Sequence, residues 1–180
     1  MNAGERHREM IRYAASKGGR AVTLNFSVGF ENLIMTTKDP MRVIGQRMNR
    51  ELVNCGLRGL PILLILETSR KEKRPHIHGV YIAGEVNPGQ VRDAMCKAVG
   101  RIYGRAAARQ LYQKDIFYPD GWLKYITMDQ RSTRRMLRLA DDTRLWWVSR
   151  AMNQSARAYH DSNRAAVSSN VNHHPKALVS

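Results

Sequence analysis

Five consecutive apolar residues, Ile62-Leu63-Leu64-Ile65-Leu66, stand between Pro61 and Glu67 with no polar residue among them. A strand with one face in water alternates apolar and polar side chains. This run does not alternate, so it reads as a central strand buried on both faces, and the chain must build a covered sheet around it. No apolar run approaches the length of a membrane-crossing helix; the longest, Leu60 to Leu66, is strand-sized. At 180 residues the chain is long enough for one domain with a sizeable core.

The rest of the chain supplies the elements of that sheet. Residues 4–17 can form a short basic helix whose charges read as a solvated face, with Gly18-Gly19 ending it. Val22, Leu24 and Phe26 alternate with Thr23, Asn25 and Ser27, the pattern of a half-buried strand. Asp39-Pro40 and Asn87-Pro88 both carry helix-start chemistry. After the first come Met41, Ile44, Met48 and Leu52 at helical spacing, and after the second Val91, Ala94, Met95 and Ala98. These methionines read as core. Residues 109–117 are a further strand candidate, and the turn Tyr118-Pro119-Asp120-Gly121 leads into a helix over Trp122 to Met128. A basic segment from Arg131 to Arg138, the run Arg144 to Ser149 and a last helix from Arg150 to about His160 follow. The expected division is a basic segment at 1–20, one domain at 21–160 and a flexible tail at 161–180. The expected class is α+β: a mostly antiparallel central sheet of four to five strands, helices on one face as in ferredoxin-like and split-βαβ folds, and a helical C-terminal extension.

Chemistry concentrates in Arg74-Pro75-His76-Ile77-His78-Gly79. On a strand His76 and His78 share one face while Ile77 takes the other, so two imidazoles stand side by side. Such a pair is either a polar face meeting solvent or two ligands of a metal ion. If the strand ending at Glu67 pairs with the histidine strand as a hairpin, Glu67 completes a two-histidine, one-carboxylate set with open positions for substrate oxygens. Glu72 is the competing carboxylate, in a loop crowded by Lys71 and Lys73, and a rigid element holds ligand geometry better than a loop. Oxygen and imidazole donors together suit Mn²⁺ or Mg²⁺ acting on a phosphate. The charge balance points to a polyanion as well: 30 Lys+Arg against 15 Asp+Glu give a formal +15. Met1 to Arg20 has no apolar signal core, and Cys55 and Cys96 lack metal-ligand spacing, so a reducing cytoplasm is expected and no membrane partner. Tyr125, one of seven tyrosines, is chemically able to attack phosphorus, but a tyrosine on a helix is more often a packing residue.

Taken in order, these motifs resemble the HUH endonucleases, most closely the rolling-circle replication initiators of bacterial plasmids and filamentous phages. The likeness rests on the hydrophobic segment 21–27, on Glu67 before Pro75-His76-Ile77-His78-Gly79, and on Trp122-Leu123-Lys124-Tyr125-Ile126-Thr127. The segments around Trp146 to Arg150 and Ala156 to His160 extend it. The resemblance implies His76, His78 and Glu67 as metal ligands and Tyr125 as a nucleophile that nicks single-stranded DNA or an origin hairpin. It also implies a 5′-phosphotyrosine intermediate, a free 3′-hydroxyl, strand rejoining and a host helicase as partner. No Gly-x-x-x-x-Gly-Lys loop is present, so the chain holds no helicase motor of its own. One position departs from the family: where a lysine often follows the tyrosine by one helical turn, this chain has Met128, and Lys124 is assigned the lysine's part although it lies about 100° around the helix. Arg70, Lys71, Lys73 and Arg74 in one loop, and Arg131, Arg134, Arg135 and Arg138 in another segment, are candidate phosphate contacts or a solvated face. Trp146 and Trp147 are candidates for base stacking or for packing onto the sheet. HUH transposases and relaxases rank lower. A non-catalytic DNA- or RNA-binding module is the alternative from another class. An iron oxygenase is disfavoured because it has no use for the positive charge.

Overall fold

The computed structural model describes residues 3–69 and 71–171. Ile62–Thr68 forms β2, with every residue buried, and pairs antiparallel with β3, Pro75–Tyr81. β3 pairs in turn with β1, Arg20–Asn25, and β1 with the edge strand β4, Leu111–Asp115. On its other side β2 pairs with a three-residue strand β5, Trp146–Val148. The sheet is therefore antiparallel with order β4-β1-β3-β2-β5, and the expected α+β class holds.

Two apolar layers cover this sheet, one on each face. Ile62, Leu64 and Leu66 of β2 face the first, with Val22 and Leu24 of β1. There they meet Met41, Ile44, Met48 and Leu52 of α3 (Pro40–Asn54) and Val91, Ala94 and Met95 of α4 (Pro88–Ala98). Leu63 and Ile65 face the other layer, against α1 (Ala3–Ser16), α5 (Pro119–Thr127) and α7 (Arg150–Val171). Helices on one face alone would have left alternate residues of the β2 run in water. The sheet is covered on both sides, which corrects the expected one-sided arrangement.

Three further differences have physical causes. α1 is not merely a solvated basic helix, because Met10, Ile11 and Ala14 are buried against the sheet and neighbouring helices. A helix α2, Val28–Thr36, follows β1 directly; Ser27 caps it by accepting from the Phe30 N–H at 3.3 Å, without the proline that marks α3 and α4. α7 runs to Val171, past the expected end near His160, so residues 161–171 continue the helix. Extending a helix already nucleated costs little, and no apolar stripe is needed where residues 161–164 are exposed. The remainder of the expected tail, 172–180, lies outside the described residues.

Gly79 leaves no room for a side chain between β3 and β2. A Cβ there would stand 2.2 Å from the Leu63 carbonyl oxygen, which is backbone and has little room to yield. Gly79→Ala is expected to lower stability by roughly 2–3 kcal/mol in urea unfolding, the cost of overpacking a rigid site. His7 gives a second expectation. It is 3% exposed, edge-on to the Trp146 ring at 5.0 Å, and its pKa is pushed down from 6.5 to about 4 by burial first and the Arg6 charge second. Between those values the unfolded chain binds a proton that the folded chain refuses, so this contribution is complete above about pH 6.5 and lost as the pH falls toward 4. A His7→Leu variant should lose up to about 3 kcal/mol less than the wild type between pH 7 and pH 4 in parallel urea titrations.

Candidate metal centre and its groove

The β2–β3 register places Glu67 directly opposite His76, and His78 lies two residues further along the same face. Directly opposed Cβ atoms in an antiparallel pair are about 5 Å apart, close enough for side chains to converge. They do converge: His76 Nε2 is 2.9 Å from His78 Nε2, and His78 Nε2 is 3.1 Å from Glu67 Oε2. Each residue offers one ligand atom, and these atoms lie within 4.8 Å of one another. Glu67 and His78 are buried and His76 is half-buried.

Outer partners aim the two rings. His76 Nδ1 lies 3.2 Å from the Arg74 carbonyl oxygen, which can only accept, so Nδ1 carries the proton and Nε2 presents a lone pair. His78 Nδ1 lies 2.9 Å from Thr23 Oγ1, which stands opposite it on β1. A hydroxyl both donates and accepts, so Thr23 supports either tautomer of His78. Without a cation, the His78 Nε2–H must be shared between the His76 lone pair and the Glu67 carboxylate. With Nδ1–H turned to Thr23, two imidazole lone pairs and a carboxylate face one point, an arrangement favourable only around positive charge. Donor separations of 2.9 and 3.1 Å also suit neighbouring ligands about 2.1 Å from one ion. His76's pKa is lowered, by burial first and by His78 second, which keeps it in its ligand form at neutral pH. The residues fit a divalent metal ion.

A groove of about 420 Å³ lies over this triad, lined among others by Thr23, Asn25, Lys71, Glu72, Tyr125 and Met128. Tyr125 reaches it from α5, its ring centroid 5.1 Å from that of His78. Trp122, one turn earlier, docks the helix: its indole N–H donates to the Gly79 carbonyl at 3.2 Å and its ring stacks on Tyr125 at 5.4 Å. From behind, Arg12 of α1 donates to Asp120 at 3.0 Å while Leu123 and Ile126 bury among α1, α7 and the sheet. Tyr125 itself remains 47% exposed.

Other expected site residues divide sharply. Lys124 does not line the groove. The helical turn of about 100° carries it to a separate cavity shared with His7, Arg8 and Trp146. Met128 occupies the place on the groove where the resemblance leads one to expect a lysine. Lys71 is the lysine that lines the groove. Glu72 stands in the groove wall outside the ligand triad. Arg74 is committed elsewhere: Nε and Nη2 donate to Glu31 of α2 at 2.9 and 2.7 Å. Lys73 is exposed at a turn with φ of 53°. On α6, Gln130–Met136, Arg131 and Arg135 are exposed, whereas Arg134 Nε donates to the Thr143 carbonyl at 3.1 Å. Arg138 is exposed beyond its end, and Arg70 lies outside the described residues. Trp146 packs beside His7 and Trp147 packs against the opposite apolar layer, so both serve the sheet. Neither Thr23 nor Trp122 had an expected role at the site, although Thr23 sits on the polar side of an alternating strand and Trp122 opens the motif that holds Tyr125.

No protein-family model, curated protein or solved structure matches the chain. Among the described residues no helix is long and apolar enough to cross a membrane.

Added Mn²⁺ is expected to raise the melting temperature of the wild type, by an amount equivalent to about 2.7 kcal/mol at a hundredfold excess over Kd. His78→Ala and Glu67→Gln should abolish that shift. Thr23→Val, which keeps the shape and removes the hydroxyl, should weaken Mn²⁺ binding about 10-fold in calorimetric titration. Protons compete with the ion, so affinity should fall on acidification, with the lowered His76 pKa placing its part of that loss below the ordinary imidazole range near pH 6.5.

Proposed function

We propose that the protein is a metal-assisted endonuclease and strand transferase of the HUH type that nicks single-stranded DNA, or an extruded origin hairpin, and rejoins it as a replication initiator. The observation that carries this reading is the position of Tyr125: a half-exposed phenol against His78, in the groove over a Glu67–His76–His78 ligand set. The +15 charge supports a polyanionic substrate.

In this reading Glu67, His76 and His78 hold Mn²⁺ or Mg²⁺. Held there, such an ion would supply Lewis-acid charge stabilisation to the scissile phosphate. Tyr125 attacks phosphorus in line, its phenolic proton leaves, and a new Tyr Oη–P bond replaces the bond to the 3′-oxygen. The departing 3′-oxygen takes up a proton and becomes a free 3′-hydroxyl able to prime synthesis. Because one phosphoester replaces another, a later 3′-hydroxyl can attack the phosphotyrosine and restore the strand. Lys71 supplies the groove with the positive charge that Met128 does not. Trp122 acts by positioning, holding the helix that carries the nucleophile. A host helicase would supply strand separation.

Met128 also gives the second reading its support: a groove without the expected lysine suits a module that binds single strands without cutting them. The two separate on a denaturing gel. Protein mixed with Mn²⁺ and single-stranded origin oligonucleotides should yield a covalent adduct, lost with a chelator and lost in Tyr125→Phe, with His76→Ala reducing it at least about 100-fold. Salt-sensitive binding without an adduct, across a panel of origins, would leave the binding module in its place.

A further inference from the structure

The row of side chains that crosses the sheet at the metal centre does not stop there. In register across three strands stand His78 of β3, Thr23 of β1 and Tyr112 of the edge strand β4. Beyond Thr23 and Tyr125, which line the groove over the triad, a second groove of about 560 Å³ opens over β1 and β4. Its walls are apolar and aromatic, and their exposure is unusual. Phe117 is 87% exposed, Tyr118 71% and Tyr112 63%. The other two phenylalanines of the chain, Phe26 and Phe30, are buried in the core. Three large rings left in water on one short stretch forfeit the burial that aromatic side chains ordinarily gain.

Some of the surrounding rings are seated by their neighbours. Tyr118 lies over Gly121, where a Cβ would stand 2.1 Å from its Cδ1, so any other residue would push the ring away. Trp122 and Tyr125 stack with their planes 22° apart and close the side nearest the metal centre. Lys114 sits with its Nζ 5.4 Å from the Trp122 ring, placing a cation in the wall, and the carboxylate that also lines it, Asp115, is paired with Arg20 at 3.5 Å. Flat apolar surfaces beside a positive charge, continuous with a groove suited to a phosphate, match one chemistry: a nucleobase attached to its phosphate.

We propose that the groove over β1 and β4 is a base-stacking subsite that takes an unpaired nucleobase of single-stranded DNA next to the phosphate held at the triad. The proposal rests on the nucleic-acid reading above and deepens it. Tyr112 and Phe117 supply stacking faces and Lys114 faces the phosphodiester chain. A duplex is excluded, because its bases are already stacked on one another. The subsite thus makes the protein favour single strands by more than charge.

Fluorescence anisotropy with labelled oligothymidylate and with an abasic chain of the same length and charge tests this at two salt concentrations. The wild type should bind oligothymidylate about 10-fold or more tighter than the abasic chain, since stacking requires a base. A Tyr112→Ala, Phe117→Ala double variant should lose that preference while keeping the salt dependence and the Mn²⁺ affinity of the wild type. Tyr112→Phe, Phe117→Tyr should retain it. Both positions are exposed, and melting temperatures close to that of the wild type verify that the variants are folded. Equal binding of the two oligomers by the wild type, or a preference that survives the double variant, overturns the subsite. If the Tyr125 adduct still forms in that case, the nicking reading stands without it. If the preference depends on Tyr112 and Phe117 but no adduct forms, the subsite stands and the nicking reading falls.

Discussion

The register of the β2–β3 hairpin governs both the core and the candidate metal centre. With Glu67 opposite His76, odd-numbered residues of β2 face α1, α5 and α7, and even-numbered ones face α3 and α4. Moving β2 by one residue would turn Glu67 into the α3–α4 layer and bring Leu66 beside the histidines. Neither face tolerates that exchange. Because β2 is apolar on both sides, hydrophobicity along the run alone does not choose the register. The choice falls to its ends, where Pro61 precedes the apolar run and Glu67 follows it, and to Gly79, which lets β3 approach the Leu63 carbonyl.

Placing a carboxylate and two imidazoles at one buried point works against stability unless something neutralises them. Their outer partners reduce the cost without removing it. Thr23 and the Arg74 carbonyl satisfy the Nδ1 atoms, leaving the Nε2 atoms and the Glu67 carboxylate to answer to one another. A cation completes the set in a way that a proton, bound to only one ligand atom at a time, does not. Arg74 connects the site to the loop that carries Lys71: its carbonyl orients His76 while its guanidinium anchors on Glu31. The loop is closed further by Ser69, whose N–H donates to the Arg74 carbonyl at 3.0 Å and whose hydroxyl accepts from Glu72 N–H at 3.0 Å.

Much of this was legible in the residues, and for physical reasons. The period-two rule put His76 and His78 together, and the hairpin assumption brought Glu67 to them. Proline and cap chemistry marked α3 and α4. What escaped depended on partners far away in the chain. β5 is three residues long and exists because Leu63 to Ile65 offer it an edge to pair with. α2 is announced by a lone serine cap. Two expected phosphate contacts, Arg74 and Arg134, are drawn to Glu31 and to the Thr143 carbonyl, neither of which sequence proximity suggests. Lys124 was given its part by the family resemblance against its own helical geometry, which turns it to a separate cavity.

A net charge of +15 is therefore not one property of the surface. Part of it is structural: Arg12 fastens α1 to Asp120 of α5, Arg74 fastens its loop to α2, and Arg134 closes the chain beyond α6. Removing these would loosen the frame that holds Tyr125 and His76 before it altered any contact with a polyanion. Another part remains exposed, in Lys71 and Lys73 on one loop and Arg131 and Arg135 on α6. Both segments adjoin the same end of β2: the loop follows it directly, and α6 is tied to it by Thr133 Oγ1, which accepts from the Thr68 N–H at 3.0 Å. Glu67, a member of the candidate ligand triad, is the residue before Thr68. The fold thus gathers exposed cations beside the strand end that holds the candidate ligand set, an arrangement that would favour an anionic partner there without fixing its sequence.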